Sequence, residues 1–177
     1  MSQMVSQAKP WLDSYPVGVP HQVDYAQYTS LNHLFEESFR QYAERNAFEC
    51  MGVNMTYREL DVASQQFAAY LQSLGLKQGD RIALMMPNVL QYPIAIIGVL
   101  RAGLVVVNVN PLYTPRELEH QLKDSGAKAI IVLENFAHVF QQIQKNVPVE
   151  HVVVTSMGEL MGFKGKILIL SCAKLKN

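Results

Sequence analysis

Cysteine is scarce. Cys50 and Cys172 stand alone among 177 residues, in no metal-ligand spacing and too few for a disulfide framework. That usage points to a reducing compartment, so a cytoplasmic location is expected. An excess of either charge is also lacking. Lys plus Arg and Asp plus Glu both number 15, so composition calls for neither nucleic acid nor an anionic membrane as partner. No Gly-x-Gly-x-x-Gly follows a candidate strand and no Walker A run occurs, which removes the usual support for a dinucleotide or P-loop site. Gly158 to Lys164 is glycine-rich, but its spacing misses the phosphate-loop pattern. The histidines (His21, His33, His120, His138, His151) are scattered, with no pair at ligand spacing on one helix face. His120, beside Glu119 on a candidate helix, reads as a surface residue. No Gly-x-Ser-x-Gly or Cys–His nucleophile arrangement is recognisable, and the N-terminus has no apolar core of signal-peptide length.

Long uninterrupted apolar runs are missing as well. The most apolar region, Val89 to Val109, is broken by Gln91, Pro93, Arg101 and Gly103. A transmembrane reading would put Arg101 inside the span at a cost of ~2.5–3.5 kcal/mol. A soluble strand–helix–strand core carries the same residues without that cost.

What is present is a succession of short apolar strands and amphipathic helices. Ile82 to Met86 is short enough for a buried strand, and Pro87-Asn88 breaks it. Val89 to Ala102 is long enough for a helix, with Gly103 suited to a left-handed C′ position. Leu104 to Val107 is a solid apolar run, rich in β-branched residues, of the kind found in strands covered on both faces. The three make a right-handed βαβ crossover. Ala129 to Leu133 and Val149 to Thr155 read as two more strands, with a helix over Asn135 to Lys145 between them.

Thr56-Tyr57-Arg58-Glu59 and Thr114-Pro115-Arg116-Glu117 both match a capping box, the second with proline at N1. The first should start a helix to Leu74 that turns Leu60, Ala63, Phe67, Tyr70 and Leu71 inward and stops at Gly75. The second should end near Ser125, with Gly126 at C′. Upstream, a helix from Leu31 to about Glu44 and a hairpin of Ala47 to Met51 with Val53 to Met55, turning at Gly52-Val53, are expected. Before them lies a proline-punctuated arm whose Trp11, Tyr15, Tyr25 and Tyr28 could lay it against a body. The fold class is therefore α/β: a partial doubly wound parallel sheet preceded by an irregular arm (1–29), a helix and a short hairpin. The sheet-bearing unit runs over 30–156, and a tail over 157–177. The segment after the second strand, Asn108 to Pro115, leaves the carboxyl edge of the sheet, where open α/β sheets usually bind ligands.

The central stretch carries a specific resemblance. Gly79-Asp80-Arg81-Ile82-Ala83, Met86-Pro87-Asn88, Gln91-Tyr92-Pro93, Arg101-Ala102-Gly103 and Val107 through Leu118 resemble the opening of an acyl-adenylate-forming enzyme, with bacterial long-chain fatty acid–CoA ligases the nearest group. The likeness extends to Trp11-Leu12, Tyr15-Pro16, Val19-Pro20, Tyr28 through Leu31, Met55 through Leu60, Phe67 through Leu71 and Asn135 through His138, covering roughly residues 10 to 166. It implies a two-step reaction. A fatty acid carboxylate attacks the α-phosphate of Mg·ATP to give an acyl-adenylate and pyrophosphate, and the thiol of CoA then displaces AMP. ATP, Mg2+ and CoA would be required, with the lipid substrate suggesting peripheral contact with the inner face of a membrane. The family's Ser/Thr/Gly-rich phosphate loop, Gly-Tyr-Gly-x-Thr-Glu segment, ribose-binding aspartate, hinge and catalytic lysine have no counterpart in this chain. By this resemblance Asn110, Pro111, Leu112 and Tyr113 lie near the channel entered by the CoA thiol arm; Pro111 and the Thr114 cap also account for that turn without a ligand. No catalytic residue and no metal ligand is expected here, and the fragment is expected to be silent alone.

The tail departs from the family. Where relatives continue with something like Asn-Phe-Val-Val-Arg, this chain reads Ile169-Leu170-Ser171-Cys172-Ala173. Loss of one adenine after a leucine codon converts one into the other, so a frameshifted, truncated product is expected. An alternative function is a non-catalytic interaction module, forming a homodimer through the arm or docking on the rest of a split ligase.

Overall fold

The computed structural model describes residues 9–162; the tail from residue 163, including the Ile169–Ala173 segment and Lys164, lies outside them. After the arm come α1 (Leu31–Tyr42), the hairpin β1 (Asn46–Cys50) and β2 (Val53–Thr56), and α2 (Tyr57–Ser73). Alternating elements follow: β3 (Arg81–Met85), α3 (Gln91–Arg101), β4 (Val105–Asn108), α4 (Pro115–Ser125), β5 (Ala129–Leu133), α5 (Glu134–Gln141) and β6 (His151–Thr155).

β3 to β6 form a parallel sheet in the order β4-β3-β5-β6. The chain moves one way from β3 to β4, then crosses back past β3 to β5. Right-handed crossovers therefore place α3 on one face and α4 on the other. Alternation within the central strands divides the core accordingly. Ile82, Leu84, Ile131 and Leu133 meet Leu71, Ala95 and Val99 from α2 and α3. Ala83, Met85, Ile130 and Val132 meet Leu118, Leu122, Val139 and Phe140 from α4 and α5. The sheet is thus partially doubly wound, as expected.

Several details differ from the sequence reading. The run expected to be covered on both faces is β4, and among the described residues it pairs only with β3, with Val105 44% exposed. Three valines in a row suit either position, and only the topology makes this one an edge. On α2 the fully buried positions are Leu60, Ser64, Ala68 and Leu71, whereas Tyr70 is 46% exposed. The inward stripe is shifted toward small residues because α3 approaches closely there. Helix α3 begins at Gln91 rather than Val89, since the Val89 amide turns back to the Pro87 carbonyl at 2.8 Å. The expected helix to Lys145 stops at Gln141, and β6 begins at His151, after Pro148. The hairpin turns on Met51-Gly52, both at positive φ, as a two-residue turn between paired strands requires. The arm is irregular, with short 3-10 turns at Pro10–Ser14 and Tyr25–Gln27; Tyr28 meets His33 of α1 edge-on, but Trp11 and Tyr25 are not laid against the body. Trp11 is 56% and Tyr25 86% exposed.

The close approach of α2 and α3 is set by Gly98. A Cβ there would lie 2.7 Å from Phe67 Cδ1 and 3.2 Å from the Ser64 carbonyl oxygen. Alanine would gain about 1 kcal/mol of helix propensity, but overpacking costs about 1–3 kcal/mol. Gly98→Ala is therefore expected to be net destabilising by up to about 2 kcal/mol, read as a lower midpoint in urea unfolding; an unchanged or higher midpoint contradicts the close-packing account.

Candidate functional site

The carboxyl edge of the sheet is where the loops after β3, β4 and β5 emerge. Between β3 and β5 the connections leave to opposite faces, which makes a crevice outside their ends. Its most elaborated wall is the β4–α4 connection. Val109 continues the ladder by donating to the Leu84 carbonyl at 3.0 Å. The Asn110 side chain then accepts from the Leu112 amide at 3.0 Å, and its carbonyl accepts from the Tyr113 amide at 3.1 Å. An asparagine closing its own turn in this way makes the bend around Pro111 local in origin. Tyr113 packs back against the α4–α5 core while Leu112 projects outward, 79% exposed.

The turn hands over to α4 through a complete capping box. Glu117 Oε2 accepts from the Thr114 amide at 2.8 Å and from its hydroxyl at 2.7 Å, and Thr114 Oγ1 accepts from the Glu117 amide. The Thr114 backbone N–H, followed by the hydroxyl, holds the Glu117 carboxyl below the usual carboxylate range. Proline at N1 and Gly126 at φ +63 complete the helix ends. Glu59 is held low by Thr56 in the same way at the start of α2.

Asn108, the last residue of β4, is gripped from both sides. Its side-chain oxygen accepts from the Tyr92 hydroxyl of α3 at 2.8 Å, and its carbonyl accepts from Gln121 Nε2 of α4 at 2.9 Å. Burial pushes the Tyr92 hydroxyl above its ordinary pKa. Gln121 Oε1 is buried without a partner among the described residues. The sequence reading did not single out this bracket. Its one signal was Gln121 on the inward stripe of α4, between Leu118 and Leu122.

A second concavity was not anticipated at all. An open groove of about 420 Å3 runs between α2, the start of α3 and β6, lined by Phe67, Tyr70, Met86, Ile94, Val153 and Leu160. Gln91 Nε2 ties the groove to the Ser156 carbonyl at 2.6 Å, and Glu159 accepts from the Thr155 hydroxyl at 2.6 Å. A polar hollow between α1 and α2 contains Arg40, Arg58 and Arg101, but these pair with Glu37, Glu44 and Asp61. Among the described residues no group of three His, Cys, Asp or Glu side chains could hold a metal ion. His120 is exposed on α4.

The sequence model of the AMP-binding enzyme family matches residues 35–166. The chain belongs to the AMP-binding enzyme family. Within it, the long-chain-fatty-acid–CoA ligase of Escherichia coli O6:H1 is 55% identical over 162 residues, covering 90% of this chain and 29% of that protein. The ligase of the same description from Salmonella typhimurium is 56% identical with the same coverage. Among solved structures, a long-chain-fatty-acid-CoA ligase from Archaeoglobus fulgidus superposes with a TM-score of 0.69 at 25% identity, over 83% of this chain and 32% of that one. The chain thus matches the N-terminal part of such ligases and spans under a third of their length. In this AMP-binding family member, the four residues Asn110 to Tyr113 fall in one turn at the sheet's carboxyl edge, adjoining the Tyr92–Asn108–Gln121 bracket.

The cap makes a checkable prediction. Thr114→Ala should destabilise the chain by about 1 kcal/mol, measured by urea unfolding. Because the Glu117 carboxyl is held low in the folded state, its contribution is present above the ordinary carboxylate range and lost as pH falls through the lowered value. The deficit of Thr114→Ala relative to the parent should therefore shrink on acidification. A deficit independent of pH would remove Glu117 from the cap.

Proposed function

We propose that this chain supplies the opening portion of an ATP-dependent long-chain fatty acid–CoA ligase, and that alone it carries out no step of that reaction. The observation supporting this most strongly is the collinear likeness to the two enterobacterial ligases, over 90% of this chain but 29% of theirs. The overall reaction joins a fatty acid to the CoA thiol as ATP becomes AMP and pyrophosphate. Stabilising charge on a transferring phosphoryl or acyl group takes amide donors, a cation and usually a metal, convergent on one point. Among the described residues no group of three His, Cys, Asp or Glu side chains could hold a metal ion, and no glycine-rich cradle stands at the carboxyl edge, so the proposal assigns nucleotide chemistry to none of them.

Within the same proposal, Asn110, Pro111, Leu112 and Tyr113 border the path of the CoA thiol arm. Support comes from the turn's place at the carboxyl edge and from Leu112, an apolar side chain held outward by a turn whose hydrogen bonds are already made. The whole enzyme would reside in the cytoplasm and touch the inner membrane face when taking up lipid; no helix among the described residues is long and apolar enough to cross a membrane. A competing reading, a module that pairs copies through its arm, is favoured by the exposure of Trp11 and Tyr25. It requires a concentration-dependent dimer in sedimentation that is lost without residues 1–29.

The test is a chimera in which residues 10–162 replace the matching segment of the Escherichia coli ligase. It should form palmitoyl-CoA from ATP, palmitate and CoA, whereas the 177-residue chain alone should form none. An inactive, folded chimera, or turnover by the chain alone, contradicts the proposal. In the chimera, Pro111→Gly with Leu112→Asp should raise KM for CoA several-fold at little change in KM for ATP; an unchanged KM for CoA removes the loop assignment.

A further inference from the structure

We infer that the groove between α2, α3 and β6 is a docking surface for the polypeptide that follows the matched segment in the ligases, and that it can accept that polypeptide as a separate chain. The inference rests on the ligase reading above and adds the surface and its occupant.

Three observations converge on this occupant. First, the groove is apolar and built to be covered. Tyr70 and Leu160 stand 46% and 37% exposed on its walls, and its one carboxylate, Glu159, is already engaged by Thr155. Second, the groove opens beside a free strand edge. Among the described residues β6 pairs only with β5, and Val152 and Val154 are about half exposed, at 47% and 53%. Edges meant for solvent are usually blunted by lysine, proline or a bulge. The segment His151–Thr155 has none of these. Third, the chain itself leads there. Glu159 and Leu160 line the groove, Met161 is buried, and Gly162 turns with φ +54. The described residues therefore end beside the groove's rim, and in the relatives the polypeptide outside the matched segment makes up most of the molecule. An extended apolar segment, with a backbone able to pair with β6, is the chemistry that fits.

The experiment is co-expression of the 177-residue chain with a tagged remainder of the Escherichia coli ligase, beginning after the segment matched here. Co-purification and sedimentation of the pair are read for the parent and for Tyr70→Glu, Leu160→Glu and Val62→Glu. Val62 is exposed on α2 and does not line the groove. Because Tyr70 and Leu160 are partly exposed, their variants should keep the parent's far-UV circular dichroism. The expected result is a one-to-one complex whose affinity falls about tenfold or more in both groove variants, as for buried interface residues, and is unchanged in Val62→Glu. Failure of the parent to associate overturns the inference, and so does association indifferent to the groove variants or a groove occupied by a second copy of the chain. The chimera separates the two levels: an active chimera with no two-chain complex sinks the docking alone, whereas an inactive chimera sinks the ligase reading and the docking with it.

Discussion

Arg101 holds the two halves of the structure together. It sits in the last turn of α3 with its side chain 11% exposed, and its guanidinium donates to the Asp61 carbonyl at 2.8 Å, the Asp61 carboxylate at 2.6 Å and the Ser64 hydroxyl at 2.8 Å. It also lies 4.9 Å from the centre of the Phe39 ring of α1. Taking a guanidinium out of water costs several kcal/mol unless geometry and partners offset it. Here three hydrogen bonds, one of them also an ion pair, and an aromatic face do so at once. The result is directional in a way apolar contact is not. The arginine fixes α2 against α3 at one register and brings α1 in above both.

That register is what allows the rest. With α2 seated at Gly98, Phe67 and Leu71 reach the core beside Ile82 and Leu84, while Phe39, Met55 and Leu60 meet Leu90 and Ile97 in a separate cluster. The hairpin and α1 thereby become part of the sheet's outer layer on one face. On the opposite face α4 and α5 need no such clasp, because their apolar stripes lie directly on Ala83, Met85, Ile130 and Val132. The carboxyl edge inherits its shape from both faces, since Tyr92 and Gln121 grip Asn108 from α3 and α4.

Much of this was legible in the residues because the signals were local. Both capping boxes formed with both hydrogen bonds, and Gly103 and Gly126 took the positive φ that ends a helix. The interior strand Ala129–Leu133 was recognisable because every residue is apolar. What escaped depended on partners distant in sequence. Nothing in Val105, Val106 and Val107 tells an edge from an interior strand. The phase of α2 followed from Gly98, some thirty residues away, rather than from its own apolar pattern. The Asn108 bracket and the groove exist only once α3, α4 and β6 have been placed. Asn110 to Tyr113 could be located from the turn chemistry of asparagine and proline, but their bearing on CoA came from family likeness alone.

The proposed function makes scaffold and chemistry separable in this chain. The described residues build a parallel sheet, cover both faces of its central strands and shape the start of a ligand-facing edge, and the proposal places nucleotide binding elsewhere in the ligase. Equilibrium dialysis of the 177-residue chain against Mg·ATP tests this most directly. The account predicts no saturable binding into the millimolar range; stoichiometric, saturable uptake of ATP would show that a nucleotide site is present after all.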